Sequence, residues 1–357
     1  MKGINFPVFK TKTQSNPTPF SMDDPEERKK YFSLKAGDDI KKLKEYLESG
    51  TFVGFLMGKK NSGKGTYSKL FAEAVGPDKI KHISIGDIVR DVHEDFDDPI
   101  KKEELMTYLE KNYRGFMSLN EALDALFGRS TSKLLPTELI LALVKREIDK
   151  AGRKALFIDG FPRNLDQISY SIYFRELMGY RDDPDFFVFI DVPEAVIDER
   201  MKYRVVCPIC HVPRGLKLLR TNKIGYDEEK KEFYLICDNP NCGGPRMVPK
   251  EGDSLGIEAI RDRIEVDDAV MRTLMKLEGV PKIFLRNSVP ADTAKDVVDD
   301  YEITPAYKYE YNKETKEVKV IEESWSVLDE NGDKVFSLLP APVVVSLISQ
   351  IVKALGL

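Results

Sequence analysis

Apolar and polar positions along the chain follow two patterns, short apolar runs and longer stretches with helical spacing. The runs at 52–57, 154–158 and 185–192 are almost continuously apolar. Such runs are typical of strands that are buried on both faces of a parallel sheet. Residues 79–85 predict another strand, which ends at Gly86. The chain therefore contains several candidate strands for one parallel sheet.

Segments between these strands carry apolar residues at the spacing of a helix. Residues 38–49 show this spacing and end at Gly50, and residues 136–151 show it over a longer stretch. A long helix is also predicted from about 256 to 278. Because strands and helices alternate, we predict an α/β fold, a parallel sheet with helices on both faces.

The two ends of the chain are less regular. Residues 1–25 are polar without a sustained period, and we expect a tail or a strap over the surface. At the other end, residues 281–285 are a candidate for the last strand. Alternatively, residues 307–336 hold an inserted hairpin with 329–333 as its turn, and the final helix is 343–355. We expect this apolar last segment to pack on the sheet.

Composition narrows the class of protein. A chain of 357 residues with 42% hydrophobic content can bury a full core. The net charge of −5 argues against nucleic acid as a partner, although it allows local basic clusters. No segment is long enough for a membrane span, and residues 1–20 lack the apolar core of a signal peptide. We expect a cytoplasmic monomer without membrane contact.

A glycine-rich loop, GKKNSGKGT at 58–66, joins the first apolar run to a helix-like segment at 67–74. Loop N–H groups and a helix N-terminus together attract an anion, and a lysine adds a full positive charge. The pattern G-x4-G-K-[ST] is met with one change, because Gly65 takes the Ser/Thr place and Thr66 follows it. We interpret this segment as a phosphate-binding loop.

All four cysteines fall in one short segment. Cys207 and Cys210 have the usual C-x2-C spacing, whereas Cys237 and Cys242 form a wider C-x4-C pair. In a reducing compartment this grouping indicates metal ligation rather than disulfides. Four thiolates can bind Zn²⁺ tetrahedrally, and a site filled by protein is structural. We expect His211 to be a neighbour rather than a ligand.

Several motifs occur in the order found in the nucleoside monophosphate kinases, the family that includes the adenylate kinases. They are the GKGT ending of the loop, ISIGDIVR at 83–90, IDGFPRNLDQ at 158–167 and ERMKYR at 199–204. The cysteine pairs follow where the zinc-bearing lids of this family carry theirs. The chain resembles this family well from 58 to about 263 and poorly at both ends. The resemblance implies a P-loop core, a monophosphate-binding flap and a zinc-ribbon lid.

The resemblance also implies a division of the chain. The expected parts are an N-terminal extension (1–50), core with the phosphate loop (51–90), an enlarged monophosphate-binding insertion (91–135), core (136–204), a zinc-binding lid (205–250), and a core helix with the final strand or helix and a C-terminal insertion (251–357).

The implied activity is transfer of the γ-phosphoryl group of ATP to AMP, giving two ADP, with Mg²⁺ required. Such a transfer needs cations around the moving phosphate. For the donor, the resemblance assigns Lys64 to the β- and γ-phosphates, Thr66 to Mg²⁺, and Asp159 to Mg²⁺ through water. Arg200 and Arg204 lie one helical turn apart and would both face the donor. The other implied donor contacts are Gly58, Ser62, Gly63, Gly65 and Tyr67.

For the acceptor, Arg90 and Arg163 would hold the phosphate, because guanidinium groups match phosphate oxygens bidentately. Arg263, or its neighbour Arg261, would bind the transferring group. Gln167 favours a purine, since its amide can pair with an adenine edge. The other implied acceptor contacts are Ile85, Gly86 and Gly160. Ile85 argues the other way, because AMP kinases usually have Thr there.

Two departures lie in the phosphate loop, where Lys60 and Asn61 replace the Pro and Gly typical of the family. Asn tolerates a left-handed backbone better than most residues, so the loop shape can persist.

Other functions stay open. The acceptor could be UMP, CMP or GMP. A non-catalytic protein on the same fold, binding nucleotide or RNA, receives slight support from Lys217, Arg220, Lys223 and Tyr226. A degenerate kinase, however, is expected to have lost some of its catalytic residues, and this chain retains them. A P-loop ATPase or GTPase would not need the paired arginines or the GFPR segment.

Overall fold

The central sheet consists of parallel strands that end at one common edge. The structure is a computed structural model, and it describes residues 1–4, 6–13, 19–128, 136–163, 165, 167–168, 183–250, 253 and 255–357. Within these residues the sheet contains β1 (Val53–Gly58), β2 (Ile80–Ser84), β3 (Ala155–Asp159), β4 (Asp185–Asp191) and β10 (Lys282–Arg286). The spatial order is β10-β4-β1-β3-β2, and each neighbouring pair is parallel. The predicted α/β fold is confirmed.

Both faces of the sheet are buried, as the continuous apolar runs predict. In β4, Phe186 and Val188 point to one core cluster, and Phe187 and Phe189 point to the other. These four side chains are at most 6% exposed.

Helices cover these two faces. The described helices are α1 (Pro25–Tyr46), α2 (Lys64–Val75), α3 (Ile85–Asp97), α4 (Pro99–Asn112), α5 (Leu119–Leu126), α6 (Thr137–Ala151), α7 (Glu194–Lys202), α8 (Arg261–Met275), α9 (Ala294–Val297) and α10 (Pro340–Leu355). Helices α1, α2, α7 and α10 contribute to one cluster, and α3 to α6 contribute to the other. In the described part of the chain, every helix is too short or too polar to span a bilayer.

The predicted start of the first helix at 38 is wrong, because α1 begins at Pro25. The side chain of Asp24 accepts hydrogen bonds from the backbone N–H groups of Glu26 and Glu27 and so caps the helix. The helix bends at Ala36, where the backbone leaves the helical region.

The strap expected at the N-terminus is present over the described residues 6–13, where Phe6 is 1% exposed. The long helix predicted from 256 is shorter, since a 3₁₀ turn at Gly256–Ile260 precedes α8. Helix α3 continues across the predicted boundary at 90/91, and residues 129–135 of the expected insertion lie outside the described residues.

At the C-terminal end, both alternatives hold in part. Residues 282–286 form the edge strand β10, and α10 is the final helix, packed against α1, α2 and β10. One hairpin pairs β12 (Ala306–Asn312) with β13 (Glu317–Glu323). The predicted turn at 329–333 belongs to a different hairpin, formed by β14 (Val327–Leu328) and β15 (Lys334–Ser337). Strand β15 also pairs with β11 (Ser288–Pro290). A single hairpin over 307–336 is therefore wrong.

The cysteine-bearing segment has small sheets of its own. Strand β5 (Arg204–Val206) pairs with β6 (Pro213–Gly215) and β9 (Val248–Pro249). Strands β7 (Lys223–Asp227) and β8 (Glu232–Ile236) form a separate hairpin. A small core of Val205, Leu235 and Met247 packs around the cysteines.

Candidate active site

The phosphate loop connects β1 to α2 through two left-handed residues, Asn61 (φ 66°) and Gly63 (φ 94°). The expected tolerance of Asn61 for this backbone is confirmed. Position 58 has no room for a side chain, because a Cβ on Gly58 would lie 2.6 Å from Ser62 Oγ. Among the described residues, no side chain caps the N-terminus of α2. The first-turn N–H groups are therefore available to an anion.

Lys64, the first residue of α2, lies over this loop. Its Nζ donates to the carbonyl oxygens of Gly58 (2.7 Å) and Lys59 (3.1 Å). The same atom lies 3.7 Å from Asp159 Oδ1 at the end of β3. The lysine and the carboxylate that the sequence predicts for phosphate and metal are thus adjacent at the carboxyl edge of the sheet.

A cavity of about 610 Å³ opens above the loop, within the size range of small-molecule sites. Most of the predicted site residues line it: Gly58, Ser62, Gly63, Lys64, Gly65, Thr66, Gly86, Asp159, Gly160, Arg163, Arg200, Arg204 and Arg263. Side chains from β3, α7, β5 and α8 thus converge on one space. The expected helical spacing of Arg200 and Arg204 is wrong, because α7 ends at Lys202 and Arg204 begins β5.

Five predicted site residues are not among the described residues that line this cavity. Tyr67 and Ile85 are buried, at 1% and 2% exposed. A Cβ on Gly63 would touch the Tyr67 ring at 2.9 Å, so the ring supports the loop from within. Arg261 pairs with Glu194 (2.8 Å) and Glu258 (2.6 Å), which leaves Arg263 as the arginine of this pair that reaches the cavity.

Arg90 and Gln167 also face other partners. Arg90 is exposed and pairs with Asp87 one turn earlier in α3. Gln167 is 6% exposed, and its side-chain oxygen accepts a hydrogen bond from the backbone N–H of Arg163 at 2.7 Å. Its side-chain nitrogen lies 3.4 Å from Thr137 Oγ1. Asn164 and Asp166 of the same motif lie outside the described residues.

Positive charge is concentrated in the cavity. Burial lowers the pKa of Arg163, and the neighbouring Arg263 lowers it further. Burial likewise lowers the pKa of Lys60, with Arg263 and Arg204 adding repulsion. Burial also lowers the pKa of Arg200. Such crowding of cations in a partly dehydrated space favours binding of a polyanion.

Two acidic residues of the site escaped the sequence analysis. Asp267 lines the cavity, and its Oδ2 accepts the backbone N–H of Lys60 at 3.2 Å. Asp253, 5% exposed, pairs with Arg204 at 2.5 Å. The available signal for Asp267 is its position in α8 four residues after Arg263, which puts both on one helix face. Asp253 has no comparable signal, because its pairing depends on tertiary structure.

The four cysteines meet in a separate cluster. Their Sγ atoms all lie within 4.8 Å of one another, and three of the four residues are buried. The Sγ atoms of Cys210 and Cys237 are 3.8 Å apart. That separation matches two corners of a tetrahedron with metal–sulfur bonds of about 2.3 Å. The thiol set therefore fits a structural Zn²⁺ ion. Among the described residues, His211 is not part of the cluster.

Comparisons with known proteins agree with this geometry. A family model described as "AAA domain" matches residues 58–205. An adenylate kinase from Thermotoga neapolitana is 34% identical over 155 residues, which cover 43% of this chain and 59% of the relative's length. An adenylate kinase from Clostridium tetani is 30% identical over 212 residues, 59% of this chain and 79% of the relative. A probable UMP-CMP kinase 2 from Arabidopsis thaliana is 28% identical over 196 residues, 53% of this chain and 64% of the relative.

The parallel sheet and the phosphate loop between β1 and α2 define a P-loop α/β fold. The chain belongs to the nucleoside monophosphate kinase family. About two fifths of the Thermotoga neapolitana relative lies outside its alignment with this chain.

Proposed function

We propose that the protein transfers the γ-phosphoryl group of ATP to AMP and forms two ADP. The observation that carries this proposal is the cavity that joins the phosphate loop to Arg163, Arg204 and Arg263. A P-loop alone suits one nucleotide, whereas this group of cations provides for the charge of a second phosphate as well. The adenylate kinases among the relatives support the same choice.

For the donor, we propose that the loop N–H groups and Lys64 hold the β- and γ-phosphates. Arg200 and Arg204 would face the same nucleotide, and Arg204 is already close to the loop, because its Nη1 donates to Asn61 Oδ1 at 2.5 Å. Thr66 and Asp159 are the groups that would hold Mg²⁺. When bound, Mg²⁺ neutralises charge on the phosphates.

For the acceptor, we propose that Arg163 and Arg90 bind the phosphate and that Arg263 binds the transferring group. Arg90 would have to leave Asp87 to do so. Its exposure makes this exchange inexpensive, since exposed ion pairs contribute only about 0–1 kcal/mol.

One observation favours a second candidate acceptor. Gln167 uses both ends of its amide inside the protein, with Arg163 and Thr137 as partners. In this arrangement the amide does not read a purine edge, and Ile85 offers no hydroxyl group. A pyrimidine monophosphate is therefore the alternative acceptor, and the Arabidopsis thaliana relative carries the name UMP-CMP kinase.

The RNA-binding alternative receives less support from the contacts of the basic residues. Lys217 pairs with Glu199 at 2.5 Å, and the Arg220 guanidinium lies 4.9 Å from the centre of the Tyr307 ring. Tyr226 stacks on Tyr311 at 4.3 Å. Because these groups have partners within the protein, they offer little free basic surface to a nucleic acid.

We further propose that Cys207, Cys210, Cys237 and Cys242 hold Zn²⁺ and stiffen a lid at residues 205–250, and that the protein acts as a monomer. Four protein ligands leave the metal no open position, so its role is structural. The apolar face of α10 is used within the chain, since Val344, Leu347 and Ile348 are buried against the sheet.

The test is transfer from Mg·ATP to AMP, GMP, UMP and CMP in separate reactions, with products separated by ion-exchange chromatography. We expect ADP formation that depends on AMP and that is lost in Lys64→Met. The matched control is Lys79→Met, because Lys79 is a half-buried lysine beyond α2 whose described ion-pair partner is the exposed Glu48. Transfer to UMP or CMP instead would replace the acceptor. Absence of transfer to every acceptor by folded protein would refute the proposal.

A further inference from the structure

The hairpin formed by β12 and β13, called here the C-terminal hairpin, presents one aromatic face. Tyr307, Tyr309 and Tyr311 alternate with Lys308 and Glu310 along β12. The tyrosines are partly buried, whereas the lysine and the glutamate are exposed. Because successive strand residues point to opposite faces, the tyrosines form a single packing surface.

This surface packs against residues 212–219, called here the outer wall. The Tyr307 N–H donates to the Lys217 carbonyl at 2.9 Å, and the Tyr309 hydroxyl donates to the Leu216 carbonyl at 2.5 Å. Six residues of the outer wall line the cavity: Val212, Pro213, Arg214, Gly215, Leu218 and Leu219. The hairpin therefore holds, from behind, the backbone that faces the proposed nucleotide.

The outer wall adjoins the donor side of the cavity. In the small sheet, Gly215 pairs with Arg204, the residue that also contacts Asn61 of the phosphate loop. The Leu216 N–H donates to the Tyr203 carbonyl at 3.2 Å. A shift of the wall therefore moves its neighbour Arg204 relative to the loop.

The far end of the same aromatic face contacts the β7–β8 hairpin. Tyr311 stacks on Tyr226 with ring centres 4.3 Å apart, and its hydroxyl donates to Glu228 at 2.6 Å. Tyr309 lies 5.4 Å from the ring of Phe233. The C-terminal hairpin therefore also contacts the cysteine-bearing segment at the β7–β8 hairpin, away from the cavity.

The base of the C-terminal hairpin is fixed in the core. Glu302 and Thr304, just before β12, are fully buried, and the Thr304 N–H donates to the Ser337 carbonyl at 2.8 Å. After β13, Trp325 packs against the main core cluster. The hairpin therefore connects the sheet side of the molecule to the outer wall.

We propose that the C-terminal hairpin sets the position of the outer wall over the donor nucleotide, with Tyr309 as the positioning residue. The proposal rests on the proposed function for the identity of the donor. Tyr309 does not touch the cavity and acts through the Leu216 carbonyl. Burial raises the pKa of Tyr309 to about 12, so the hydroxyl keeps its proton and can donate throughout the neutral range.

The test compares two variants that each lose one hydroxyl group from the same strand. In Tyr309→Phe we expect the KM for ATP to rise about fivefold, the loss expected for one partly buried hydrogen bond. The KM for AMP should stay unchanged, because the outer wall adjoins the donor side. Tyr311→Phe is the control, since the hydroxyl of Tyr311 pairs with a glutamate away from the cavity. It should leave both KM values unchanged.

A second measurement does not depend on activity. Amide hydrogen exchange over residues 212–219 should be faster in Tyr309→Phe than in the wild-type protein, and unchanged in Tyr311→Phe. Faster exchange in a protein that transfers no phosphoryl group would support the hairpin's role while refuting the proposed function. Unchanged exchange together with an unchanged KM for ATP would overturn the inference. An equal rise in both KM values would also contradict it, because that pattern indicates general loosening.

Discussion

Asp267 introduces negative charge into a cavity whose other charged residues are mainly cationic. Burial raises the pKa of Asp267, while Lys64, Arg263 and Arg163 oppose this effect. Its carboxylate also accepts the backbone N–H of Lys60 in the phosphate loop. Asp267 thus interacts with a loop N–H group and with cations that a bound phosphate would also contact.

This arrangement makes a prediction for Asp267→Asn, which keeps an acceptor for Lys60 and removes only the charge. We expect ATP in magnesium-free buffer to bind about threefold to tenfold more tightly, because one repulsive interaction with the phosphates is lost. Isothermal titration calorimetry would measure the affinity. Glu265→Gln is the control, since Glu265 is exposed on the same helix. Weaker binding of ATP in the Asn variant would show that the carboxylate serves the loop rather than opposes the ligand.

For single residues, the sequence predicted positions in the site correctly where a residue's role depends on the local backbone around it. The positions of Lys64 and Asp159 follow from strand ends and a glycine-rich turn, and the structure has them 3.7 Å apart. The hydrogen-bond and ion-pair partners of Arg90 and Gln167 could not be predicted from sequence. A flexible side chain can reach several groups, and which of them lie near it depends on the tertiary structure. The same reason explains why Asp253, the partner of Arg204, was missed.

At the scale of elements, α1 is held in place by a buried ionic cluster. Lys35, with its side chain 2% exposed, pairs with Asp299 at 2.6 Å and with Glu302 at 3.4 Å. Glu302 also accepts the hydroxyl groups of Tyr31 and Thr11, each at 2.6 Å. The cluster therefore joins the N-terminal strap, the first helix and the base of the C-terminal hairpin.

Lys35→Met should destabilise the protein strongly. Methionine fills similar space, but it leaves two carboxylates without their buried cation, which costs about 3–5 kcal/mol in comparable cases. Urea unfolding at neutral pH would measure the free energy of unfolding. Lys41→Met, on the exposed side of the same helix, should change it by less than about 0.5 kcal/mol. Similarly small changes in the free energy of unfolding for both variants would mean that the ionic cluster does not stabilise the packing of α1.

The start of α1 shows which part of a helix boundary can be predicted from sequence patterns. The segment Asp24-Pro25-Glu26-Glu27 carries an N-cap residue, a proline at the first helical position and acidic residues in the first turn. The predicted start at 38 depended on apolar spacing alone and did not include this signal, because the stretch that follows it is charged and has few apolar positions. The helix forms because Tyr31 and Phe32 are buried against other elements, at 0% and 2% exposed, which the pattern alone does not reveal.

For the whole molecule, the family core is enclosed by appended segments at both ends. Helix α1 packs against α2 and α10, and the C-terminal hairpin connects the sheet side with the cysteine-bearing segment. The parallel sheet was predictable because its strands are continuous apolar runs. The assembly around it was not, because Tyr309–Leu216 and Lys35–Glu302 are contacts between residues far apart in the chain.

The cysteine cluster allows a test of whether the cysteine-bearing segment is stabilised separately from the core. A metal bound there would stabilise this segment and leave the stability of the parallel-sheet core unchanged. We expect the protein from zinc-replete growth to contain about one zinc per chain and Cys237→Ser to contain much less. Limited proteolysis of that variant should cut first within residues 205–250, while the parallel-sheet core stays resistant. His211→Ala should retain its zinc, since His211 adjoins the cluster without belonging to it. A wild-type protein without zinc, in which all four thiols react freely with a thiol reagent, would mean that packing around Val205, Leu235 and Met247 alone holds this segment together.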